Sequence, residues 1–199
     1  MREIDLFQRE IANKLSVLLD RQGYRPDVRV PWPAFSGHGR QIYSPKVDIA
    51  VGPFAIENRR YEYEYDRMVN SFNRLIDTWI DMFRRNWQSY IGDRYWRVPP
   101  GSPSGYRDFV EHGANRNARC FIAIEVENET TRKHLMGSIS NAGALGRVGI
   151  LAAWQEKVLR AAIRMREYFD FLQEVEKRTF NMSDVIVLTK DQLAASLGM

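Results

Sequence analysis

The sequence predicts an α/β domain in which helices flank a mixed central β-sheet. Short apolar runs, typical of buried strands, alternate along the chain with longer segments whose apolar residues recur every three or four positions. This alternation indicates α/β architecture. The chain has 199 residues, of which 44% are hydrophobic and 27% charged. That size and composition suit one core, so we expect a single domain over residues 1–199.

The first part of the chain predicts a helix followed by two strands. Apolar residues recur at helical spacing from Ile4 to Leu18, and the pattern stops near Gly23. Residues 26–32 alternate weakly between apolar and polar, as in a short strand. Residues 46–51 predict a second strand that contains an aspartate and is closed by a Gly-Pro pair.

The rest of the chain predicts helices that alternate with buried strands. One long amphipathic helix is expected from Val69 to Tyr90, and the glycine- and proline-rich stretch 98–105 is expected to be a loop. The strand CFIAIEVEN and a helix that ends at Gly146 follow. The remaining predicted elements are a strand at 148–154, a helix at 158–175, a strand at 184–189 and a short helix at 190–197.

Bulk properties restrict the location and partners of the protein. The formal net charge of +4 permits binding to nucleic acid without requiring it. The single cysteine, Cys120, excludes an internal disulfide and a cysteine-only zinc site. The N-terminus lacks the apolar block of a signal peptide, and no apolar stretch is long enough to cross a bilayer. We therefore expect a cytoplasmic protein with no membrane association.

Three acidic residues stand in or beside predicted buried strands. Glu125 and Glu127 are two positions apart and should point to the same side of their strand, and Asp48 interrupts the apolar run VDIAV. The apolar residues of the later strand should point to the opposite side, into the core: Ile122, Ile124 and Val126. Grouped carboxylates cost stability unless a cation, an arginine or open water compensates. A magnesium or manganese site, a solvated sheet face and a salt bridge to arginine all remain open.

The segments that hold these acids resemble a known nuclease signature. SPKVDIAV and FIAIEVENETTRKHL are similar to the two halves of the PD-(D/E)XK motif of restriction-endonuclease-like proteins. The resemblance covers about residues 1–55 and 118–155. It implies a restriction-endonuclease-like core with a helical insertion at 58–117. It also implies an Mg²⁺- or Mn²⁺-dependent nuclease that hydrolyses phosphodiester bonds in DNA.

The resemblance also implies which residues bind the metal. Asp48 takes the position of the family's metal-binding aspartate, and Glu125 that of the glutamate on the next strand. The backbone carbonyl of Val126 is expected as a further ligand. Glu10 is the best match to the acid that the leading helix of the family often contributes.

One catalytic position departs from the family pattern. Glu127 stands where the family has a lysine that positions the attacking water, although some restriction enzymes hold a glutamate there. Carried over, Glu127 would order or deprotonate the water. Lys46, two residues before Asp48, and Lys133, on the following helix, are candidates to replace the missing amine and offset negative charge.

The sequence also suggests a DNA-binding surface, a homodimer and an alternative function. Arg84 and Arg85 on the long helix, with the loop at 98–105, are the expected DNA contacts, and a solvated basic face is the other interpretation. A homodimer is also expected, because nucleases that cut both strands often pair. A catalytically inactive nuclease-like module for DNA binding or protein assembly is the alternative function. The small residues at 137–146 lack nucleotide-binding motifs and predict close helix–sheet packing.

Overall fold

The computed structural model describes residues 2–34, 45–56, 61–91, 105, 109–110, 114–177 and 185–199. Its helices are α1 (Glu3–Arg21), α2 (Glu62–Ser71), α3 (Asn73–Ile91), α4 (Arg132–Leu145), α5 (Glu156–Glu174) and α6 (Lys190–Ser196). Its strands are β1 (Val28–Arg29), β2 (Trp32–Pro33), β3 (Lys46–Val47), β4 (Ile49–Val51), β5 (Cys120–Glu127), β6 (Gly146–Ala153) and β7 (Val185–Thr189).

Five of the strands form one mixed sheet, in the order β1-β4-β5-β6-β7. The pairs β1–β4 and β4–β5 are antiparallel, whereas β5–β6 and β6–β7 are parallel. Strands β2 and β3 form a separate antiparallel pair. The prediction of an α/β fold with a mixed central sheet and flanking helices is therefore confirmed.

The parallel half of the sheet is buried and covered by helices. Every residue of β5 and β6 is buried, as expected for strands packed on both faces. Helix α4 packs against β5 and β6, and α5 packs against β6, β7 and α4. Helix α1 packs against β1 and β4, and α3 packs against β7. The three apolar residues of β5 that were predicted to point into the core are buried in it: Ile122, Ile124 and Val126.

The small residues of α4 allow this helix to lie very close to the sheet. A Cβ atom built on Gly149 of β6 would lie 3.0 Å from the backbone carbon and oxygen of Ala142. Such a distance leaves no room for a side chain between the helix and the strand. The prediction that residues 137–146 serve helix–sheet packing agrees with this contact.

Two predicted elements are interrupted in the structure. The strand expected at 46–51 breaks at Asp48, so that β3 pairs with β2 while β4 pairs with β1 and β5. The long helix expected from residue 69 is divided at Phe72 into α2 and α3. The Phe72 ring packs against Tyr24 and Phe121, and these tertiary contacts accompany the non-helical backbone. Most of the loop expected at 98–105 lies outside the described residues.

Helices α2 and α3 fall within the predicted insertion, and they contribute to the same core as the sheet. Tyr65 of α2 and Trp79 of α3 are both buried in the main apolar cluster. The Tyr65 hydroxyl donates a hydrogen bond to the Pro53 carbonyl at 2.8 Å, and Trp79 Nε1 donates to Ser196 Oγ at 2.7 Å. Among the helices that the structure describes, none has the length and apolar character needed to cross a bilayer.

The approach of α4 to β6 predicts the effect of adding one methyl group. Gly149→Ala forces α4 away from the sheet, so we expect it to lower the free energy of unfolding by about 1–3 kcal/mol. The matched control is Gly137→Ala, at an exposed position of α4, where a new Cβ would meet no atom within 4 Å. The control should leave stability unchanged or raise it by up to about 1 kcal/mol. Urea denaturation followed by circular dichroism measures both, and equal midpoints for the two variants would contradict the prediction.

Candidate acidic site

The break in the second predicted strand places Asp48 opposite Glu125. Strand β4 pairs Ile49 with Ile124 and Ala50 with Ala123, and continuing this antiparallel register by one residue sets Asp48 against Glu125. The Asp48 side chain accepts a hydrogen bond at Oδ2 from the Val126 backbone N–H, at 2.8 Å. A carboxylate thus takes the place of a backbone carbonyl as the partner of β5, which explains why regular strand pairing is interrupted here.

Glu125 is buried between Asp48 and helix α4. Its side chain is 8% exposed, and its Oε1 accepts a hydrogen bond from Asn141 Nδ2 at 3.1 Å. The same Asn141 nitrogen lies 3.3 Å from the Lys46 carbonyl, so one amide connects α4 to β3 and β5. The negative charge of Asp48 also acts on the Glu125 carboxyl group.

Glu127 lies on the same side of β5 and is also 8% exposed. Its Oε2 accepts from Ser138 Oγ at 2.7 Å, and its Oε1 accepts from the Glu129 backbone N–H at 2.7 Å. Ser138 and Asn141 are three residues apart on α4, so one helix face holds both glutamates. The interpretation of these acids as a solvated sheet face is therefore wrong, since both side chains are buried.

Burial and mutual repulsion control the protonation of the central pair. The pKa of Glu125 is raised well above its usual range, first by burial and then by the charge of Asp48. Burial also raises the pKa of Asp48, although the hydrogen bond from the Val126 N–H opposes this shift. The two groups titrate as a pair. The backbone hydrogen bond favours the charged form of Asp48, whereas the charge of Asp48 disfavours the charged form of Glu125.

The remaining predicted site residues are exposed and contact the acids less closely. Lys46 is exposed, and its charge acts on Asp48 to lower the pKa of that carboxyl. Lys133 is exposed in the first turn of α4, and Glu10 is exposed on α1. Within the described part of the chain, no hydrogen bond joins either of them to the acids. Arg2 lies close enough for Asp48 to contribute to its raised pKa, whose largest cause is the hydrogen bond with Asp5.

The predicted DNA contacts lie on a helix that packs against another part of the sheet. Arg85 is exposed on α3, and Arg84 of the same helix lies 3.7 Å from Asp81. Helix α3 packs against β7, whereas Asp48 and Glu125 lie between β4 and β5. The structure therefore does not group these arginines with the acids.

The local chemistry offers oxygen ligands for a hard cation. Asp48 and Glu125 present adjacent carboxyl groups. The N–H of Val126 points toward Asp48, and in a strand the carbonyl of a residue points to the same side as its N–H. The carbonyl of Glu127 instead accepts from the Trp154 N–H of the neighbouring chain segment at 2.8 Å. Across the described ranges, no group of three His, Cys, Asp or Glu side chains could hold a metal ion. A site would therefore use two carboxylates, a carbonyl and water, a set that Mg²⁺ accepts.

The raised pKa of Glu125 predicts that its removal stabilises the metal-free protein. Because folding raises this pKa, the associated stability is complete below the unfolded value of about 4.3 and is lost as pH rises through the folded value. Glu125→Gln keeps an acceptor for Asn141 and gives Asp48 a neutral donor. We expect it to raise the free energy of unfolding at neutral pH by about 1–3 kcal/mol, and by much less near pH 4.

Urea denaturation in EDTA at several pH values measures this difference. The control is Glu129→Gln, which removes an exposed carboxylate two residues beyond β5 and should leave the pH profile of stability unchanged. A Glu125→Gln protein that is less stable than wild type at neutral pH would contradict the raised pKa of Glu125.

Comparisons with other proteins identify no relative of this chain. Neither the family models, nor the curated proteins, nor the solved structures include a match to this chain.

Proposed function

We propose that the protein binds Mg²⁺ or Mn²⁺ at Asp48 and Glu125 and hydrolyses phosphodiester bonds in DNA. One observation carries the proposal: two carboxyl groups face each other across β4 and β5 in a largely buried position. Without a cation, burial raises the pKa of both carboxyl groups, and the charge of Asp48 raises that of Glu125 further. Asp48 and Glu125 would hold a divalent ion, whose charge would compensate both carboxylates.

The neighbouring backbone supports this ligand set. Asp48 uses one oxygen to accept the Val126 N–H, and its other oxygen remains available for a cation. The Val126 carbonyl is directed to the same side and adds a neutral oxygen. Asn141 fixes one oxygen of Glu125, which orients the carboxyl group toward Asp48. Hydrogen bonds of this kind to a ligand are typical of metal sites, where they set ligand orientation.

The remaining polar residues have roles that do not require them to bind the ion. When bound, the cation neutralises charge on the phosphate and acidifies a coordinated water. Glu127 is held in place by Ser138 and by the Glu129 N–H, and its carboxylate can accept a proton from a nearby water or orient that water. Lys46, whose charge already acts on Asp48, offsets negative charge that develops on the phosphate.

The order of the elements supports a restriction-endonuclease-like core within this proposal. That core consists of a helix, three strands, a further helix and a strand. The corresponding elements here are α1, the antiparallel strands β1, β4 and β5, then α4 and β6. Helices α2 and α3 enter the chain between β4 and β5, which fits an insertion at 58–117.

One observation favours the second candidate function, an inactive nuclease-like DNA-binding module. Glu127 occupies the position of the family lysine, and both of its carboxylate oxygens already accept hydrogen bonds from Ser138 and Glu129. If these bonds persist when substrate binds, they lower the basicity of Glu127, which then activates water less effectively than the family lysine pattern does. This candidate predicts DNA binding without metal-dependent cleavage.

Calorimetric titration of Mg²⁺ and Mn²⁺ tests the proposed ion site. We expect wild type to bind and Asp48→Asn and Glu125→Gln each to lose affinity by on the order of 10²-fold, because loss of even an indirect partner costs 10–100-fold. Cleavage of single-stranded and duplex DNA should fall by a similar factor. Glu129→Gln is the matched control and should match wild type.

The two candidate functions give different results in these assays. Metal binding with cleavage that disappears in both variants supports the nuclease. DNA binding by a folded protein that neither binds the ions nor cleaves DNA supports the inactive module. Urea denaturation of Glu125→Gln verifies that this variant is folded, so that a loss of activity is attributed to the site.

A further inference from the structure

A cationic groove lies between helices α4 and α5. The cavity has a volume of about 710 Å³. Four of its lining residues carry positive charge: Arg132 from α4, and Lys157, Arg160 and Arg164 from α5. None of the described residues that line it is acidic. The groove is therefore a concentrated site of positive potential on a protein whose net charge is only +4.

The four cations of the groove are not neutralised by acidic neighbours. All four side chains are exposed, and none of them forms an ion pair with a described residue. The Arg160 guanidinium lies 5.5 Å from the centre of the Tyr90 ring, a contact that orients the group without cancelling its charge. Cations that repel one another along one groove are stabilised by a bound polyanion.

The row of cations is long enough to contact several phosphates of one strand. Lys157, Arg160 and Arg164 are separated by three and four residues, so they form a row along one side of α5. With a rise of 1.5 Å per residue, the row is about 10 Å long. One strand of a nucleic acid carries a phosphate about every 3.4 Å along the duplex axis, so the row spans about three phosphates. Arg132 faces the row from α4.

The groove lies near the edge of the sheet at which β5 ends. Helix α4 begins five residues after Glu127, and α5 begins three residues after β6 ends at Ala153. Both helices therefore start at the carboxyl ends of parallel strands. On α4, Ser138 contacts the acidic site, and Arg132 lies about 120° around the helix from it. The groove and the acidic site are thus on two flanks of one helix.

We propose that this groove, lined by Arg132, Lys157, Arg160 and Arg164, binds the phosphate backbone of a nucleic-acid strand. Tyr168 and Met136, which are 45% and 41% exposed, supply apolar surface for sugars and bases at the same groove. The cations line a concave cleft, which a strand can enter and a flat lipid surface cannot. The inference extends the proposed function by naming its substrate-binding surface, but it is tested without metal or cleavage.

Fluorescence anisotropy in EDTA, with short labelled single-stranded and duplex DNA, tests this groove. The variant Lys157→Gln/Arg160→Gln/Arg164→Gln changes only exposed side chains, and its thermal unfolding verifies the fold. We expect its affinity for DNA to fall by at least about 10-fold. The slope of log affinity against log salt should become shallower by about 2 for single strands, because three phosphate contacts are lost.

A matched charge change elsewhere on the surface is the control. Arg9→Gln/Arg21→Gln/Arg25→Gln removes the same number of exposed cations from α1 and the residues after it. It should alter the affinity by less than about threefold. Equal losses in the two triple variants, or wild-type affinity in the groove variant, would overturn the proposal. So would groove-dependent binding to phosphatidylserine vesicles by a protein that does not bind DNA.

The binding assay also separates this inference from the proposed catalysis. Wild type in EDTA should bind DNA through the groove without cleaving it, and addition of Mg²⁺ should start cleavage. If the groove binds DNA but the protein never cleaves it, the groove proposal is supported and the nuclease proposal is refuted. If the protein cleaves DNA with a metal but the groove variant keeps wild-type affinity, the nuclease proposal is supported and the groove proposal is refuted.

Discussion

The hydrogen bond from the Val126 N–H to the Asp48 carboxylate determines the arrangement of the acidic site. It joins residues 78 positions apart and uses a side chain where a strand would normally offer a carbonyl. Because Asp48 leaves the regular ladder, β3 pairs with β2 while β4 continues in the central sheet. The same bond brings the Asp48 carboxyl against Glu125, so the local fold and the electrostatic cost of the site have one origin.

Close packing of α4 on the sheet is what allows one helix to supply polar partners to both glutamates. A Cβ atom on Gly149 of β6 would lie only 3.0 Å from the Ala142 backbone, so α4 lies close to this strand. At that separation, short side chains are sufficient to reach the strand, and Ser138 and Asn141 contact Glu127 and Glu125 directly. A larger residue at the glycine would move the helix outward and lengthen these bonds together. The stability of the fold and the orientation of the carboxyl groups therefore depend on the same contact.

Features with local causes could be predicted from the sequence, and features with long-range causes could not. Alternation within β5 predicted that Glu125 and Glu127 share a side, because strand periodicity is set by the backbone itself. The break at Asp48 depends on a partner in β5, and the helix break at Phe72 coincides with ring contacts to distant residues. Arg132 and the α5 cations are 25 or more positions apart in the chain, so their common groove required the packing of two helices.

The two charged sites that flank α4 cost the unliganded protein stability in ways that bound ligands would reverse. On one flank, burial and mutual repulsion raise the pKa of Asp48 and Glu125, so the charged forms of both groups are disfavoured. On the other, Arg132 stands with other cations at the positive end of the helix dipole, where an anion is the favourable occupant. A divalent cation relieves the first conflict and a phosphate backbone relieves the second. Sites that conflict with stability in the absence of ligand are typical of function, because a fold optimised for stability alone would replace these charges.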